Sequence, residues 1–311
     1  MGGRDFNIHL GLQHAPRRKT VKGLPNGNPN AIKVNPSDFY RIGRRPPLGR
    51  YLSETWNLRH FLLAQARFKA LTTGRGTYLG RFWLLLEPFL RVAMYFVIFG
   101  LILKVSRGMD NFIAFLAIGI ILFRSLSGAL TSGSTVLTRH RSIVRGFAFP
   151  RISLILSDSL RSAYDAVPDL VVLLVFIWIL PPHEVPQWTW LLMVPLLTIA
   201  HVLVTGIMLM TAWLSSLLPD VKHLWPLITR FWFYASGVIF PIDKFVSDST
   251  ALLVLNANPA ALVLNMAREI LMDGTVPRFT LWMQLVGWAC ALASFGVLLF
   301  WSREEAYNRA R

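Results

Sequence analysis

The chain has 311 residues, of which 54% are hydrophobic and only 15% are charged. Soluble domains carry about 25% charged residues, so this composition excludes an ordinary soluble domain and indicates a lipid environment. The net charge of +16 does not indicate a nucleic-acid partner, because fifteen of the 32 Lys and Arg residues lie within residues 1–82, before the first long apolar run. The single cysteine, Cys290, excludes an intrachain disulfide and a zinc site made of thiolates.

The N-terminal block is polar and basic, and it divides into two parts. Residues 1–50 mix Pro, Gly, Asn and basic residues without an apolar period, which predicts a flexible tail. The block has no apolar signal-peptide core at its start, so we expect it to be retained, and its basic residues hold it in the cytoplasm. In residues 51–76, Leu and aromatic side chains lie among basic ones, which predicts an amphipathic interface helix along the inner leaflet.

The rest of the chain is dominated by long apolar runs, and a transmembrane helix needs about 20 such residues. Six spans are predicted, at about 83–103, 112–136, 158–180, 188–214, 224–242 and 281–301. The loop Leu137–Arg151 contains four Arg and no acid, which places it in the cytoplasm. The predicted fold class is therefore an all-α integral membrane protein with six transmembrane helices and both ends cytoplasmic, including a tail at 302–311.

Two stretches of the predicted spans depart from a simple apolar helix. The second half of the second span, Ser125–Thr135, consists mostly of small residues, which predicts close packing against a neighbouring helix. Residues 252–272 are apolar, but Asn258 and Pro259 are suited to an N-cap and a first helical position. The remaining run of about 14 residues would be about 21 Å long, too short for a core of about 30 Å. We therefore expect a short external or re-entrant helix between spans five and six.

Charged residues within the spans have two interpretations each. Asp158, Arg161, Asp165 and Asp169 share one helical face, either as an intrahelical ion network or as a polar wall facing a substrate path. This acidic face is also the one feature of the sequence that favours an enzymatic function.

The first two spans contribute three further charges. Glu87 and Arg91 are one turn apart, so they form an i,i+4 pair, or Arg91 holds a phosphate-bearing head group. Arg124 lies near the middle of the second span, where pairing with a carboxylate of the third helix and lining of a pathway are equal alternatives.

Motifs for chemistry within this chain are absent. There is no Walker A pattern, so the chain does not bind ATP through a P-loop, and no H-E-x-x-H or G-x-S-x-G sequence occurs. The histidines do not pair at metal spacing. We therefore predict no catalytic residue, no metal and no cofactor in this chain. The aromatic runs in the first and fifth spans are either core contacts or faces along which sugar rings slide.

Residues 77–90, T-Y-L-G-R-F-W-L-L-L-E-P-F-L, followed by Tyr95 and Phe99-Gly100, resemble the first-span signature of ABC-2 type permeases of polysaccharide exporters. Phe149-Pro150 resemble the Phe-Pro after the family's coupling loop, and Asn258-Pro259 resemble its Asn-Pro segment before the last span. The likeness covers about residues 55–305.

The chain departs from the family pattern at three places. Pro219 stands before Asp220 where the family has Arg, which puts any role of that Arg in doubt. Phe123 stands at a site usually held by Trp, and the basic tail is longer than the family core needs.

The resemblance implies a homodimer with two copies of a separate ATPase subunit, which would bind ATP and Mg. It implies export of a lipid-pyrophosphate-linked glycan, of O-antigen, teichoic acid or galactan type, across the inner membrane. The loop at 139–150 would couple to the ATPase through Arg139, His140, Arg141, Ser142, Ile143, Val144, Arg145, Phe147, Phe149 and Pro150. The substrate path would include Arg91, Tyr95, Phe96, Phe99, Arg124, Phe231, Trp232, Phe233 and Tyr234. The external gate helix would include Asn258, Pro259, Arg268 and Glu269.

Two other function classes stay open at this point. A membrane-embedded lipid-linked glycosyl- or acyltransferase is supported only by the acidic face of the third helix. A channel or secondary transporter is disfavoured, because no matching pair of broken helices indicates inverted repeats.

Overall fold

The computed structural model describes residues 46–72, 80–104, 111–140, 150–179, 186–242 and 248–304, all within the compact unit Gly43–Arg311. Every regular element in these ranges is helical. The helices are α1 (Leu48–Asn57), α2 (Arg59–Thr72), α3 (Trp83–Tyr95), α4 (Phe112–Arg139), α5 (Ile152–Ile179), α6 (Met193–Leu217), α7 (Trp225–Ala235), α8 (Ser249–Asn256), α9 (Pro259–Leu271) and α10 (Phe279–Ser302).

Five helical segments in these ranges are long and apolar enough to cross a membrane. They are Trp83–Ile102, Phe112–Arg139, Ile152–Ile179, Trp188–Leu217 and Phe279–Ser302. They coincide with five of the six predicted spans, although the third helix begins six residues before its predicted start. The chain is thus an all-helical, multi-pass membrane protein.

The first crossing is not a uniform α-helix. Pro88 lies inside α3, where it removes one backbone donor from the helical hydrogen-bond ladder. After Tyr95 the helix widens into a π-helix over Phe96–Ile102, and the N–H of Leu103 donates to the carbonyl of Ile98 at 2.9 Å. Wide turns of this kind are rare and often lie at functional sites.

The predicted interface helix is two helices rather than one. α1 begins at Leu48, inside the stretch predicted as tail, and the helix is interrupted at Leu58 before α2 begins. Tyr51 and Ala66 are fully buried against the rest of the protein, while Trp56 and Phe68 are exposed. The exposed aromatic face is consistent with a helix pair that lies on a membrane surface.

The core is built around α4, which packs against α6, and α6 in turn packs against α10. A Cβ added at Gly133 of α4 would meet Thr211 and the backbone of Met208 in α6. At Gly206, a Cβ would lie 2.5 Å from the backbone of Leu292 in α10. Both backbone pairs approach this closely because the residue is Gly, so the predicted close packing of the second span is confirmed.

The predicted fifth span, 224–242, is wrong as a continuous helix. α7 has 11 residues and would extend about 16 Å, well short of the hydrocarbon thickness. Residues 236–241 are non-helical and mostly buried in protein, where irregular backbone is tolerated at membrane depth. Gly237 has a φ of +63°, a conformation that Gly adopts without strain.

The following helices, α8 and α9, are bent by 82° relative to each other, so they form either a broken span or a re-entrant loop. The predicted capping of α9 is confirmed, because Asn258 accepts the N–H of Ala260 at 3.1 Å and Pro259 opens the helix.

Candidate functional site

A charged network joins the first three crossings. Glu87 Oε1 accepts from Arg91 Nη2 at 2.6 Å and lies 3.0 Å from Arg124 Nη2, while Arg124 Nη1 lies 3.6 Å from Asp169 Oδ2. One guanidinium group therefore bridges carboxylates of α3 and α5. The pairing of Arg124 with a third-helix carboxylate is present, as is the Glu87–Arg91 pair.

This network lies on an open face of the single chain. The side chains of Arg91 and Arg124 are each 38% exposed, and that of Glu87 is 48% exposed. Thr131, Thr135 and Thr138 follow Arg124 at spacings of seven, four and three residues, so they continue the same face of α4. Thr131 and Thr138 are exposed as well. The result is a polar stripe, Arg124–Thr138, that runs along one side of α4.

Asp158 has partners that differ from those the sequence predicted. Its carboxylate is buried and lies 3.3 Å from Lys69 Nζ, 3.4 Å from Arg139 Nη1 and 3.8 Å from His140 Nε2. The predicted network with Arg161 is therefore wrong for Asp158, because cations from α2 and α4 are nearer than those of its own helix.

The other two carboxylates of α5 are separate from Asp158. Arg161 pairs with Asp165 at 3.3 Å, and Asp169 pairs with Arg124. Asp158 and Asp169 are 11 residues apart, or about 16 Å along the helix, and each has its own cationic partner. In the described ranges, no three His, Cys, Asp or Glu side chains come close enough to hold a metal ion.

A second buried polar cluster, which the sequence did not indicate, joins α1 to the start of α5 and to the residues around the end of α10. Tyr51 Oη donates to Glu304 Oε2 at 2.9 Å, and the other oxygen of Glu304 accepts the backbone N–H of Arg151 at 3.1 Å. The N–H of Ile152 donates to Tyr51 Oη at 3.2 Å, and Trp301 Nε1 donates to the carbonyl of Pro46 at 3.0 Å.

Glu304 lies outside the membrane-spanning helices. Burial raises the pKa of its carboxyl, while the N–H of Arg151 and the hydroxyl of Tyr51, which both donate to it, oppose that increase. No local sequence signal could have identified this cluster, because its members are 101 and 153 residues apart.

Aromatic side chains connect the first crossing with α4 and α7. The rings of Tyr95 and Phe233 have centroids 5.7 Å apart, and Phe123 of α4 makes edge contacts with Trp232 at 5.4 Å and Phe233 at 5.3 Å. Tyr95 also stacks on Phe99 at 6.0 Å. These five residues form one packed aromatic cluster, so part of the predicted substrate path is brought together. Phe96 is partly buried against the core, whereas Phe231 and Tyr234 are exposed.

Two of the predicted gate residues, Asn258 and Arg268, form hydrogen bonds with residues at and after the end of α7. Asn258 Oδ1 accepts from Trp232 Nε1 at 2.8 Å, and its Nδ2 donates to Ser236 Oγ at 2.9 Å. Arg268 Nη2 donates to the carbonyls of Gly237 at 3.0 Å and Val238 at 3.2 Å. These carbonyls have no helical partner, so the guanidinium group replaces the missing ladder.

Arg268 is also in contact with α4. Its guanidinium carbon lies 3.5 Å from the centroid of the Phe115 ring, a cation–π contact. Glu269 is partly buried at the end of α9, and Pro259 is the first residue of that helix.

Of the predicted coupling segment, the structure describes only the two ends. Arg139 and His140 end α4, and Pro150 precedes α5. The predicted coupling residues between them, Arg141, Ser142, Ile143, Val144, Arg145, Phe147 and Phe149, lie outside the described residues. Both described ends are near α1 and α2.

Comparison with known proteins gives a consistent family assignment. The profile of the family described as ABC-2 type transporter matches residues 62–272. An O-antigen export system permease protein, RfbA, from Myxococcus xanthus is 22% identical over 265 residues, which covers 84% of this chain and 96% of that protein. An RfbA protein of the same description from Klebsiella pneumoniae is 22% identical over 65% of this chain and 76% of its own length. The polysialic acid transport protein KpsM from Escherichia coli is 22% identical over 73% of this chain and 87% of its own length.

Proposed function

Because the chain belongs to the ABC-2 type transporter family, we propose that it is the membrane-spanning subunit of an ATP-driven exporter for a lipid-pyrophosphate-linked polysaccharide. The relatives named as O-antigen and polysialic acid transport proteins support a polysaccharide as the cargo. In this proposal the chain acts as a homodimer in the inner membrane. A separate ATPase subunit, in two copies, binds ATP and Mg and supplies the energy.

The observation that carries the proposal is the half-exposed network of Glu87, Arg91, Arg124 and Asp169. A charge at the bilayer centre costs roughly 2.5–3.5 kcal/mol on insertion scales, so such residues face a protein interior or a water-filled cavity. Among the residues that the structure describes, Glu87, Arg91 and Arg124 of the network lie partly exposed on the face of a single chain. A polar pathway, completed by a second copy of the chain, supplies the missing environment. The polar stripe on α4 extends this path towards Arg139.

The aromatic cluster of Tyr95, Phe99, Phe123, Trp232 and Phe233 would form one wall of this path. Aromatic faces contact sugar rings through apolar area and few directional hydrogen bonds, which suits a polymer that must move. The exposed rings of Phe231 and Tyr234 would extend the wall towards the partner copy.

The distribution of charge supports a proposed orientation in the membrane. The start of α1, the end of α4, the start of α5 and the end of α10 lie together, as the bonds of Tyr51, His140, Arg151 and Glu304 require. Basic residues are concentrated at this end, so we assign it to the cytoplasm. In this orientation α8 and α9 form a re-entrant pair that closes the external mouth. The loop at 139–150 becomes the element on which the ATPase acts.

A cysteine-labelling experiment tests the pathway. Cys290 is exposed, so replacing it with Ser is expected to be tolerated and leaves a chain without cysteine. Thr131→Cys in this background places one thiol on the polar stripe. We expect a water-soluble maleimide to label it in membranes, and labelling to block glycan export. Val194→Cys is the control, because Val194 is an exposed apolar residue of α6, and we expect no labelling there. Equal protection of both thiols from the reagent would contradict a wet pathway.

The coupling role has its own test. Replacing Arg141 and Arg145 with Glu reverses two charges of the loop, and we expect loss of both ATPase association and export. Retention of both in the double variant would remove the loop from the mechanism.

A further inference from the structure

The N-terminus of α5 is capped by residues from distant parts of the chain. The first N–H groups of a helix have no intrahelical partner, and a nearby Ser, Thr, Asp or Asn usually accepts one of them. Here the N–H of Arg151 donates to Glu304, and that of Ile152 donates to Tyr51. The cap is thus a tertiary contact, made by Tyr51 of α1 and by Glu304, two residues after the end of α10.

All three residues of this contact are buried. Tyr51 is completely buried, Arg151 is 1% exposed and Glu304 is 3% exposed. Tyr51 Oη accepts from Ile152 and donates to Glu304, so both of its roles are used. If the three segments moved apart, buried polar groups would lose their hydrogen-bond partners. The free-energy cost of an unsatisfied buried group exceeds the net gain from one hydrogen bond. A negative carboxylate is also favoured at a helix N-terminus.

The opposite end of the 141–149 segment is held in a similar way. His140 is buried, and its Nε2 lies 2.7 Å from Lys69 Nζ of α2, while Asp158 of α5 is within ion-pair distance of both. Both described ends of the predicted coupling loop are therefore joined to the α1–α2 pair through buried polar contacts.

We infer that Tyr51 and Glu304 are positioning residues that make the start of α5, helix α1 and the end of α10 move as one unit. Through this unit, displacement of the 139–150 loop reaches the interface helices and the last crossing together. This inference rests on the proposed function, in which the ATPase acts on that loop. In this inference both residues act on export through this unit and not by lining the polar path.

Two substitutions test the inference with little change in volume. Tyr51→Phe retains the ring and removes the oxygen that joins Ile152 to Glu304. Glu304→Gln keeps the shape but replaces one acceptor oxygen with a donor, which then faces either the N–H of Arg151 or the hydroxyl of Tyr51. Glu54→Gln is the matched control, because Glu54 is on the same helix and pairs with Arg50 at 2.8 Å on the exposed surface.

The measurement uses the full chain in its native membrane, co-purified with its ATPase. Three quantities are determined for each variant: complex per cell, ATP hydrolysed per complex, and surface glycan exported per ATP. We expect the first two to stay within about twofold for Y51F and E304Q, while glycan per ATP falls about tenfold, as one hydrogen bond in a transmitting contact would give. E54Q should leave all three within about twofold, since an exposed pair contributes little.

The double variant Y51F/E304Q adds a second criterion. Because the two residues share one hydrogen bond, their effects on glycan per ATP should not add, and the double variant should match the more impaired single variant. Full additivity would contradict a shared joint.

Three further outcomes overturn the inference. Complex and export that fall in parallel, with glycan per ATP unchanged, would reduce the cluster to a structural role. Unchanged glycan per ATP in an intact complex would show that the cluster transmits nothing. If Glu304→Gln prevents assembly, Tyr51→Phe, which preserves packing, decides between these results. A wild-type chain that binds no ATPase or exports no glycan would instead contradict the proposed function, so the two failures are distinguishable.

Discussion

Two arginines in the apolar part of the chain have opposite environments. Arg268 is 7% exposed and donates to the carbonyls of Gly237 and Val238. Among the described residues, it has no carboxylate at ion-pair distance. The Arg124 side chain is 38% exposed and bridges Glu87 and Asp169. One guanidinium group replaces a missing backbone ladder inside the protein, and the other belongs to an ionic surface.

In the proposed transporter, this difference gives Arg268 a role in the fold and Arg124 a role in the polar path. Arg268 satisfies buried carbonyls, and its removal would leave these groups with no water to replace it. Arg124 stabilises the isolated chain little, because exposed ion pairs contribute about 0–1 kcal/mol. A charged guanidinium group within the hydrocarbon region is costly in free energy unless polar groups surround it, so Arg124 needs such surroundings in the membrane. Variants at both positions should separate loss of stability from loss of transport.

The largest effect is expected for Arg268→Met. The variant loses the bonds to two carbonyls and the contact with Phe115, so unfolding should require about 3–5 kcal/mol less free energy. Thermal unfolding in nanodiscs and the yield of folded protein measure this loss. Arg278→Gln, at an exposed position before α10, should leave both unchanged. A folded R268M protein with wild-type stability would show that the carbonyls find other partners.

Asn258→Ala should have the next largest effect, of about 1–2 kcal/mol, because it removes the cap of α9. The variant also loses the bonds to Trp232 and Ser236. Asn258→Asp retains the acceptor for Trp232 and for the N–H of Ala260 but loses the donor to Ser236 and to the carbonyl of Ala235, so its loss of stability should be smaller only if the acceptor carries most of the effect. Equal destabilisation by Ala and Asp would assign the whole effect to that donor.

Arg124→Gln should reverse the pattern seen for Arg268. We expect the melting temperature to change by no more than about 2–4 °C, the shift that corresponds to 1 kcal/mol in a chain of this size. Glycan export should nevertheless be strongly reduced. Arg124→Lys retains the charge but cannot bridge Glu87 and Asp169 as a fork, so its export should be intermediate. A large loss of stability with normal export per complex would make Arg124 structural, like Arg268.

The smallest effect concerns a buried carboxylate, Glu304, and the pH dependence of stability. Burial raises its pKa in the folded protein, so the folded state retains this proton to higher pH than the unfolded state. Its contribution is therefore most favourable below the unfolded pKa and declines as the pH rises through the folded pKa. Melting temperatures measured across this range should decline less steeply in E304Q. An identical pH profile in E304Q would contradict a raised pKa.

The sequence predicted elements well where the signal is local. The five long spans are apolar runs of sufficient length, and the capping of α9 depends on the neighbouring residues Asn258 and Pro259. The close packing of α4 was also predictable, because small residues permit it whichever helix is the neighbour. The pair Glu87–Arg91 follows from helical spacing alone.

The prediction failed for the fifth crossing because apolar composition does not distinguish a helix from buried irregular backbone. The stretch 224–242 is apolar enough for a span, but the carbonyls of Gly237 and Val238 accept from Arg268, which lies 31 and 30 residues away. The intrahelical network, one of the two interpretations of the acidic face, is wrong for Asp158 for the same reason. Its cations come from α2 and α4, and helical periodicity says nothing about them.

Composition, charge asymmetry and hydrophobic run length by themselves determined that this chain is a helical, multi-pass membrane protein, because each depends on residues close together in sequence. Only the tertiary structure decided which charges are paired and which are open. Arg124 and Arg268 have the same side chain in similarly apolar surroundings along the sequence, yet one lies on an exposed face and the other replaces a backbone ladder. The contact of Tyr51, Arg151 and Glu304 likewise exists only because folding brings three distant segments into one buried cluster.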